Sequence, residues 1–319
     1  MSGPPKIPEG EFIERFRKFG ATGLSKQLGI SQAHIHSRRR RIERRLGIEL
    51  KNPIAGNNKW DQLSGFQKPQ ALRHEIEDGI VLIGSDSHYW PGIISTAHRA
   101  FVKFCKELKP KVVIKNGDEL DGATISRHMP IGWEKRPSLI DEIDAVKDRL
   151  TEIVDASGNA TRYWPLGNHD ARFETRLATV APEYARVHGV HLRDHFPWWL
   201  PCWSVWLGED TVVKHRYRGG IHATHANTLN SGKSIITGHL HSLKITPYTD
   251  YNGTRWGVDT GSLADVYGPQ FNDYLEDNPR NWRSGFIVLT FHKGRLLWPE
   301  QVHVIGEGLV EFRGQIHEV

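Results

Sequence analysis

Five times between residues 80 and 241, a short apolar run breaks off into Asp, Asn or His. The segments are "GIVLIGSDSHYW", "PKVVIKNGDELDG", "ATRYWPLGNHDAR", "DTVVKHRYRGG" and "KSIITGHLHS". Apolar runs this short, rich in Val and Ile and bounded by polar residues, read as buried strands. The helical stretches "STAHRAFVKFCKEL" and "SLIDEIDAVKDRLTEIVDAS" lie between the first three. Strands alternating with helices predict an α/β core, and polar residues repeated at strand ends imply one shared site.

The residues at those ends are Asp86 and His88, Asp118 and Asp121, Asn168, His169 and Asp170, His215, and His239 with His241. Their oxygens and imidazoles are ligands for zinc, manganese, iron or nickel, and no cysteine stands among them to favour a softer ion. Even seven of these ten would be too many for one ion. Two ions that share a carboxylate can use seven, and such a pair is a clamp for in-line attack at phosphorus. Each motif alone is weak, because a strand-end His is more often a capping or hydrogen-bonded residue than a ligand.

In this order "DSH", "GDELD", "GNHD", "KH" and "GHLH" resemble the signature of the calcineurin-like metallophosphoesterases, over about residues 80–305. The resemblance implies a two-sheet αββα sandwich, with "FIVLTFHKGRLL" and "QVHVIG" in its second sheet. It also implies that Asp86, His88 and His241 hold one divalent ion, that Asn168, His215 and His239 hold the other, and that Asp118 bridges them. Manganese is the first expectation, with Ni, Fe, Zn or Mg as alternatives. A hydroxide between the ions, its pKa lowered from ~15.7 toward ~7, would be the nucleophile. His169 would stabilise developing charge or protonate the leaving oxygen, and Asp121 would accept a hydrogen bond from it. At the fourth motif His215 follows a valine strand, as the family pattern asks, while His222 and His225 are close enough in sequence to substitute.

Two departures from the pattern narrow the expectation. Gly122 follows Asp121 where the family's protein phosphatases carry a phosphate-gripping arginine, and Asp170 stands where many members have Glu. A phosphoprotein substrate is therefore not expected, and Arg127, His128, Arg172 and Arg176 become candidate phosphate contacts.

Charge divides the chain. Residues 1–51 hold 12 Lys and Arg against 5 Asp and Glu, whereas the remainder holds 30 against 32. Such asymmetry predicts two modules, the first with a polyanionic partner. In "GLSKQLGISQAHIHSRRRRIERRLGIEL" the residues Leu24, Leu28, Ile30 and Ile35, with Gly29 as a turn and Ser31 as a cap, have the spacing of a helix-turn-helix. This segment resembles the helix-turn-helix modules of phage and bacterial DNA-binding proteins. Arg38, Arg39, Arg40, Arg41, Arg44 and Arg45 would then face DNA or another nucleic acid. The alternative is a solvated basic helix that supports the enzyme domain.

Residues 52–79 are polar, broken by Pro and Gly, and read as a linker before a phosphoesterase domain over 80–319. Trp198, Trp199, Trp203 and Trp206 read as core, as a homo-oligomer contact, or as a stacking platform for bases. Asp259 and Tyr267 are weaker candidates for the site. Two cysteines make no disulfide framework, and no window approaches the ~20 apolar residues of a membrane span. A soluble protein of the cytoplasm, or of a host's cytoplasm if phage-encoded, is expected.

The functional expectation is a dinuclear metal-dependent hydrolase of phosphodiesters, nucleic acid first among them. A phosphomonoesterase acting on small molecules is one alternative. A DNA-binding phage protein whose phosphoesterase domain serves as scaffold is the other.

Overall fold

Gly29 ends the helix α1 (Glu9–Leu28) with φ 64°, a left-handed cap that glycine adopts without strain. Ser31 then accepts a hydrogen bond from His34 N at 3.3 Å and starts α2 (Gln32–Leu46). Inside α1 the backbone of Gly20 is not helical (φ 66°, ψ −176°), so three helical segments are present. Phe12, Phe16, Ala21, Leu24, Ile35, Ile42 and Leu50 make their common core. Arg38 lies 4.7 Å from the centroid of the Phe12 ring and donates to Ile7 O, while Arg39 lies over Phe16 and pairs with Glu43 at 3.5 Å. Arg45 pairs with Glu9. Three of the six arginines expected to meet nucleic acid thus take part in the packing of these helices, and Arg40, Arg41 and Arg44 stay exposed.

The computed structural model describes residues 7–48, 50, 70–128, 132–184, 187–275 and 278–319. The chain divides into two units, Met1–Ser64 and Gly65–Val319. The second unit holds two sheets. One comprises β2 (Gly79–Gly84), β3 (Val112–Lys115), β4 (Thr161–Pro165), β5 (Leu200–Cys202), β11 (Gly285–His292), β12 (Arg295–Leu296), β13 (Glu300–Gly306), β14 (Leu309–Phe312) and β15 (Gln315–Glu318). Its order is β15–β14–β13–β11–β2–β3–β4–β5, with β12 beside β11. The other comprises β1 (Ala71–His74), β6 (Ser204–Leu207), β7 (Thr211–Val213), β8 (Ser234–Thr237), β9 (Lys244–Asp250) and β10 (Gly253–Asp259), in the order β1–β6–β7–β8–β10–β9.

Helices α3 (Thr96–Leu108) and α4 (Leu139–Ser157) pack together, with α3 against the larger sheet, and α6 (Ala223–Ser231) packs against β8, β9 and β10. The result is a mixed α/β fold with the αββα order of layers. Val81, Leu82 and Ile83 of β2 and Val112, Val113 and Ile114 of β3 are all fully buried. Each contributes about 1.5–3 kcal/mol of apolar burial, enough together to fix the register of the central strands.

Two sequence expectations change. Residues 71–74 are not linker: β1 pairs in parallel with β6, Ala71 opposite Ser204, and residues 52–69 of the expected linker lie outside the described residues. The strands near the C-terminus do not build the second sheet either. β11 runs antiparallel to β2, Ile287 opposite Ile83, so it joins the sheet that carries the first three ligand motifs.

Of the four tryptophans, Trp199 is core, whereas Trp198 and Trp203 are 44% and 42% exposed. Arg73 lies 5.2 Å from the centroid of the half-buried Trp206 ring. Cys105 and Cys202 are buried free thiols. Among the described residues, no helix is long and apolar enough to cross a membrane.

Candidate metal centre

Every ligand motif sits just past the carboxyl end of a strand. Asp86 and His88 follow β2, Asp118 follows β3, and Asn168 and His169 follow β4. His215 follows β7, and His239 and His241 follow β8. Because β2–β3–β4 are parallel in one sheet and β7–β8 are parallel in the other, these ends converge. Asp86 joins the two sets: its Oδ2 accepts from His239 N at 2.8 Å, and its Oδ1 lies 3.1 Å from His241 Nε2.

Candidate donor atoms of Asp86, His88 and His241 all lie within 4.8 Å of one another, as do those of Asp118, His215 and His239. His215 Nε2 is 3.1 Å from Asp118 Oδ2, and its Nδ1–H donates to Asn116 O at 2.7 Å, which fixes the ring. His222, just before α6, and His225, on α6 against Tyr248, are both exposed, whereas it is His215 that clusters with Asp118 and His239. The structure thus brings six of the seven expected ligands into two clusters, and Asn168 lines the same cleft as His239.

Such crowding demands unusual backbone. Asp86, His88, Asp118, His239 and His241 all have φ between 38° and 73°. That region costs a non-glycine residue about 1–3 kcal/mol and is characteristic of functional sites. The glycines of the motifs leave room for the ligands. A Cβ on Gly167 would lie 2.0 Å from Asp118 Oδ1, one on Gly238 2.6 Å from Asp86 Oδ2, and one on Gly117 2.6 Å from His215 Nδ1.

The donor set fits divalent cations. His88 Nε2, His241 Nδ1 and Asn168 Oδ1 are buried with no hydrogen-bond partner among the described residues, an expensive state for polar atoms unless something else meets them. Burial alone would raise the Asp86 carboxyl, but the His241 and His215 imidazoles hold it down to about 2. Burial opposes the charge on His215 as well, yet Asp118 and Asp86 push it up to about 10. The carboxylates therefore stand ionised, and a cation that replaces the His215 proton meets preformed negative charge.

Around the ligands lies a supporting shell, most of which the sequence did not single out. Asp170 is fully buried and accepts five N–H donors. Its Oδ2 takes Asp118 N, Gly167 N and Trp164 Nε1, each at 2.9 Å, and its Oδ1 takes Glu119 N at 3.0 Å and Leu120 N at 3.3 Å. It thereby ties the second ligand loop to the third. Lys115 and Glu119 form a fully buried ion pair at 2.9 Å behind Asp118, and Lys115 Nζ also donates to Ser87 Oγ at 2.6 Å. Phe271 and Trp282 wall off one side, their ring centroids 5.7 and 4.4 Å from that of His241.

Asp121 faces two histidines rather than the one expected. Its carboxylate Oδ1 is 3.0 Å from His88 Nδ1, so it also orients a candidate metal ligand. It is the backbone carbonyl of Asp121 that takes the proton of His169 Nδ1, at 2.7 Å, while Oδ1 lies 3.4 Å from that nitrogen. His169 Nε2 is 4.0 Å from Asp118 Oδ2. Burial would lower the His169 pKa, but Asp118 and Asp121 overrule it and hold it above the usual value.

A cleft of about 410 Å3 opens at Asn168 and His239. Arg127, His128, Arg172 and Arg176 all line it, and so does Arg216, which sequence reasoning missed although it directly follows His215. Asp259 is buried near Asp86, accepting from Ser242 N and Gly261 N at 2.9 and 3.1 Å. Tyr267 is 72% exposed, with the Arg280 guanidinium 5.3 Å from its ring centroid.

No protein-family model and no curated protein matches this sequence. Among solved structures, it is similar to Entamoeba histolytica Vps29 complexed with Zn2+ (13% identity, 75% of this chain and 98% of that one, TM-score 0.37). It is also similar to an archaeal phosphodiesterase (13%, 70% and 99%, TM-score 0.33). A third is a protein serine/threonine phosphatase from Saccharomyces cerevisiae (12%, 76% and 86%, TM-score 0.37). At this level of similarity nothing about the present site follows from them, and its chemistry is read from its own residues.

Proposed function

We propose that the chain is a metal-dependent phosphoesterase with two divalent cations, acting on phosphodiesters of nucleic acid. The observation that carries this is the clustering of two carboxylates and four imidazoles, with Asn168 beside His239 and buried unpartnered donor atoms on His88, His241 and Asn168, next to a cleft lined by four arginines. Asp86, His88 and His241 would hold one cation, Asn168, His215 and His239 the other, with Asp118 shared. When bound, the cations supply Lewis-acid activation of the ester and of the attacking water; manganese is the first to try.

The chain's own residues do the rest. With Nδ1–H committed to Asp121 O, His169 keeps Nε2 directed at the ligand set, and this atom would carry the proton given to the leaving oxygen. Arg172 donates through Nη1 to Asp121 O at 2.8 Å and lies 3.2 Å from His169 Nε2 through Nη2. It is placed to take a share of the developing negative charge. For the N-terminal helices, exposed Arg40, Arg41 and Arg44 support a helix-turn-helix reading in which DNA phosphates are the partner. That arrangement is of the kind expected for a phage-type protein.

The test is an assay of the chelated full chain reloaded with Mn, Ni, Zn or Mg, on bis-p-nitrophenyl phosphate, p-nitrophenyl phosphate and DNA. Metal-restored hydrolysis of the diester and of DNA is expected. Monoester hydrolysis alone would establish a phosphomonoesterase instead.

A further inference from the structure

The cleft beside the ligands holds more positive charge than one scissile phosphate requires. Arg127, Arg172, Arg176 and Arg216 line it with His128, and none of its lining residues is acidic. Arg127, Arg176 and Arg216 are exposed and form no ion pair among the described residues. Four guanidinium groups around one opening repel one another until an anion joins them. Arg172 and Arg176 stand one turn apart on α5 (Asp170–Val180), about 6 Å along its axis, on the order of one nucleotide step. Thr175 and Thr179 add hydroxyls from the same helix. Arg216 approaches from the six-stranded sheet, and Arg127 from the loop after β3. Only Arg172 reaches His169. In a substrate with a single phosphate, the other three would have nothing to bind.

We propose that this cleft holds the non-scissile phosphates that flank the reacting ester, so that the substrate is a nucleic-acid strand running along α5. The proposal rests on the phosphoesterase reading above and specifies its substrate. Planar guanidinium forks suit phosphate. The lining contains no Phe, Tyr or Trp on which bases could stack, so the strand is held by its backbone and cleavage is indifferent to base sequence.

The experiment has two arms on the full chain. In the first, binding of a labelled phosphorothioate hexanucleotide is followed by fluorescence anisotropy across a salt series, for wild type, R176A/R216A and R176K/R216K. The alanine pair should lower the slope of log K against log salt by about 1.4, at roughly 0.7 per lost contact on a single strand, and the lysine pair should retain most of it. In the second arm, kcat/KM is measured for oligonucleotides of increasing length and for bis-p-nitrophenyl phosphate. The hexanucleotide-to-small-diester ratio should fall about tenfold in R176A/R216A at low salt, through KM more than kcat. Equal affinity and slope in wild type and R176A/R216A would overturn the proposal, as would tripolyphosphate competing as well as the hexanucleotide. The two readings fail separately. Arginine-dependent strand binding without hydrolysis by any metal-loaded form removes the phosphoesterase, and hydrolysis without arginine dependence removes the strand.

Discussion

Replacing Asp170 by Asn exchanges one acceptor oxygen for an amide donor at a carboxylate that meets five N–H groups. The amide will turn so that its oxygen keeps the three donors now on Oδ2, namely Asp118 N, Gly167 N and Trp164 Nε1. Its NH2 then faces Glu119 N and Leu120 N, and both lose their acceptor in a fully buried site. At about 1–3 kcal/mol for each buried donor left unpaired, Asp170→Asn should cost about 2–6 kcal/mol. For a domain of this size that is a fall in Tm of roughly 5–20 °C. The loop that carries Asp118 loosens as well, so metal affinity should drop about 10–100-fold. Scanning calorimetry of chelated wild type and variant reads the first effect, and calorimetric titration with Mn reads the second. Asp170→Glu retains the acceptor oxygens and adds only a methylene, so its loss should be nearer 1–3 kcal/mol. A chelated Asp170→Asn protein melting within 2 °C of wild type would refute the view that this carboxylate organises the ligand loops.

His169→Gln should keep both metals while slowing turnover by roughly 10²–10⁴-fold, less for substrates with good leaving groups; metal loss in elemental analysis would make His169 a ligand instead. The triple variant R40A/R41A/R44A should reduce the DNA-binding salt slope by up to about 2.7 with little change in Tm. R38A/R39A should instead lower Tm, because those side chains cover Phe12 and Phe16, and the reverse pattern in paired melting and binding curves would contradict this division of labour. Glu142 accepts from Gly122 N and Ala123 N, and burial together with the Asp121 charge raises its carboxyl to about 7. Its stabilising contribution is therefore full below about 4.5 and is lost as pH rises through 7. The stability advantage of wild type over Glu142→Gln should shrink over that window by up to about 3 kcal/mol, and a pH-independent difference in urea melts would rule this out.

What the sequence disclosed and what it hid follow from the range of the interactions involved. Strands β2, β3, β4, β7 and β8 and the ligand motifs at their ends are local patterns, legible because burial makes each run apolar and the site makes each end polar. The Ser31 cap and the Gly29 turn are equally local. β1 was missed because four residues of alternating half-burial make no period, and its partner β6 lies far along the chain. The placement of β11 beside β2 depends on a long-range choice of partner that apolar content does not encode. Asp121 illustrates a finer limit. Its proximity to His169 was readable from the motif, but which of its oxygens serves which histidine is decided by loop geometry. Arg216 carried a usable signal, since it adjoins a ligand and belongs to the basic run "KHRYR".

The five ligands in left-handed backbone conformation have a consequence for how this domain would age if it ceased to bind metal. Gly, and to a lesser degree Asn, is at ease at such torsions, whereas Asp and His are not. A lineage freed from catalysis would therefore gain stability at Asp86, His88, Asp118, His239 and His241 by drifting toward those two residues. This chain has taken that step at none of the five. Asparagine at Asp86 and Asp118, which keeps an oxygen for His239 N and His169 N, together with glycine at the exposed His239, should give a domain that is progressively more heat-resistant and progressively unable to hold an ion.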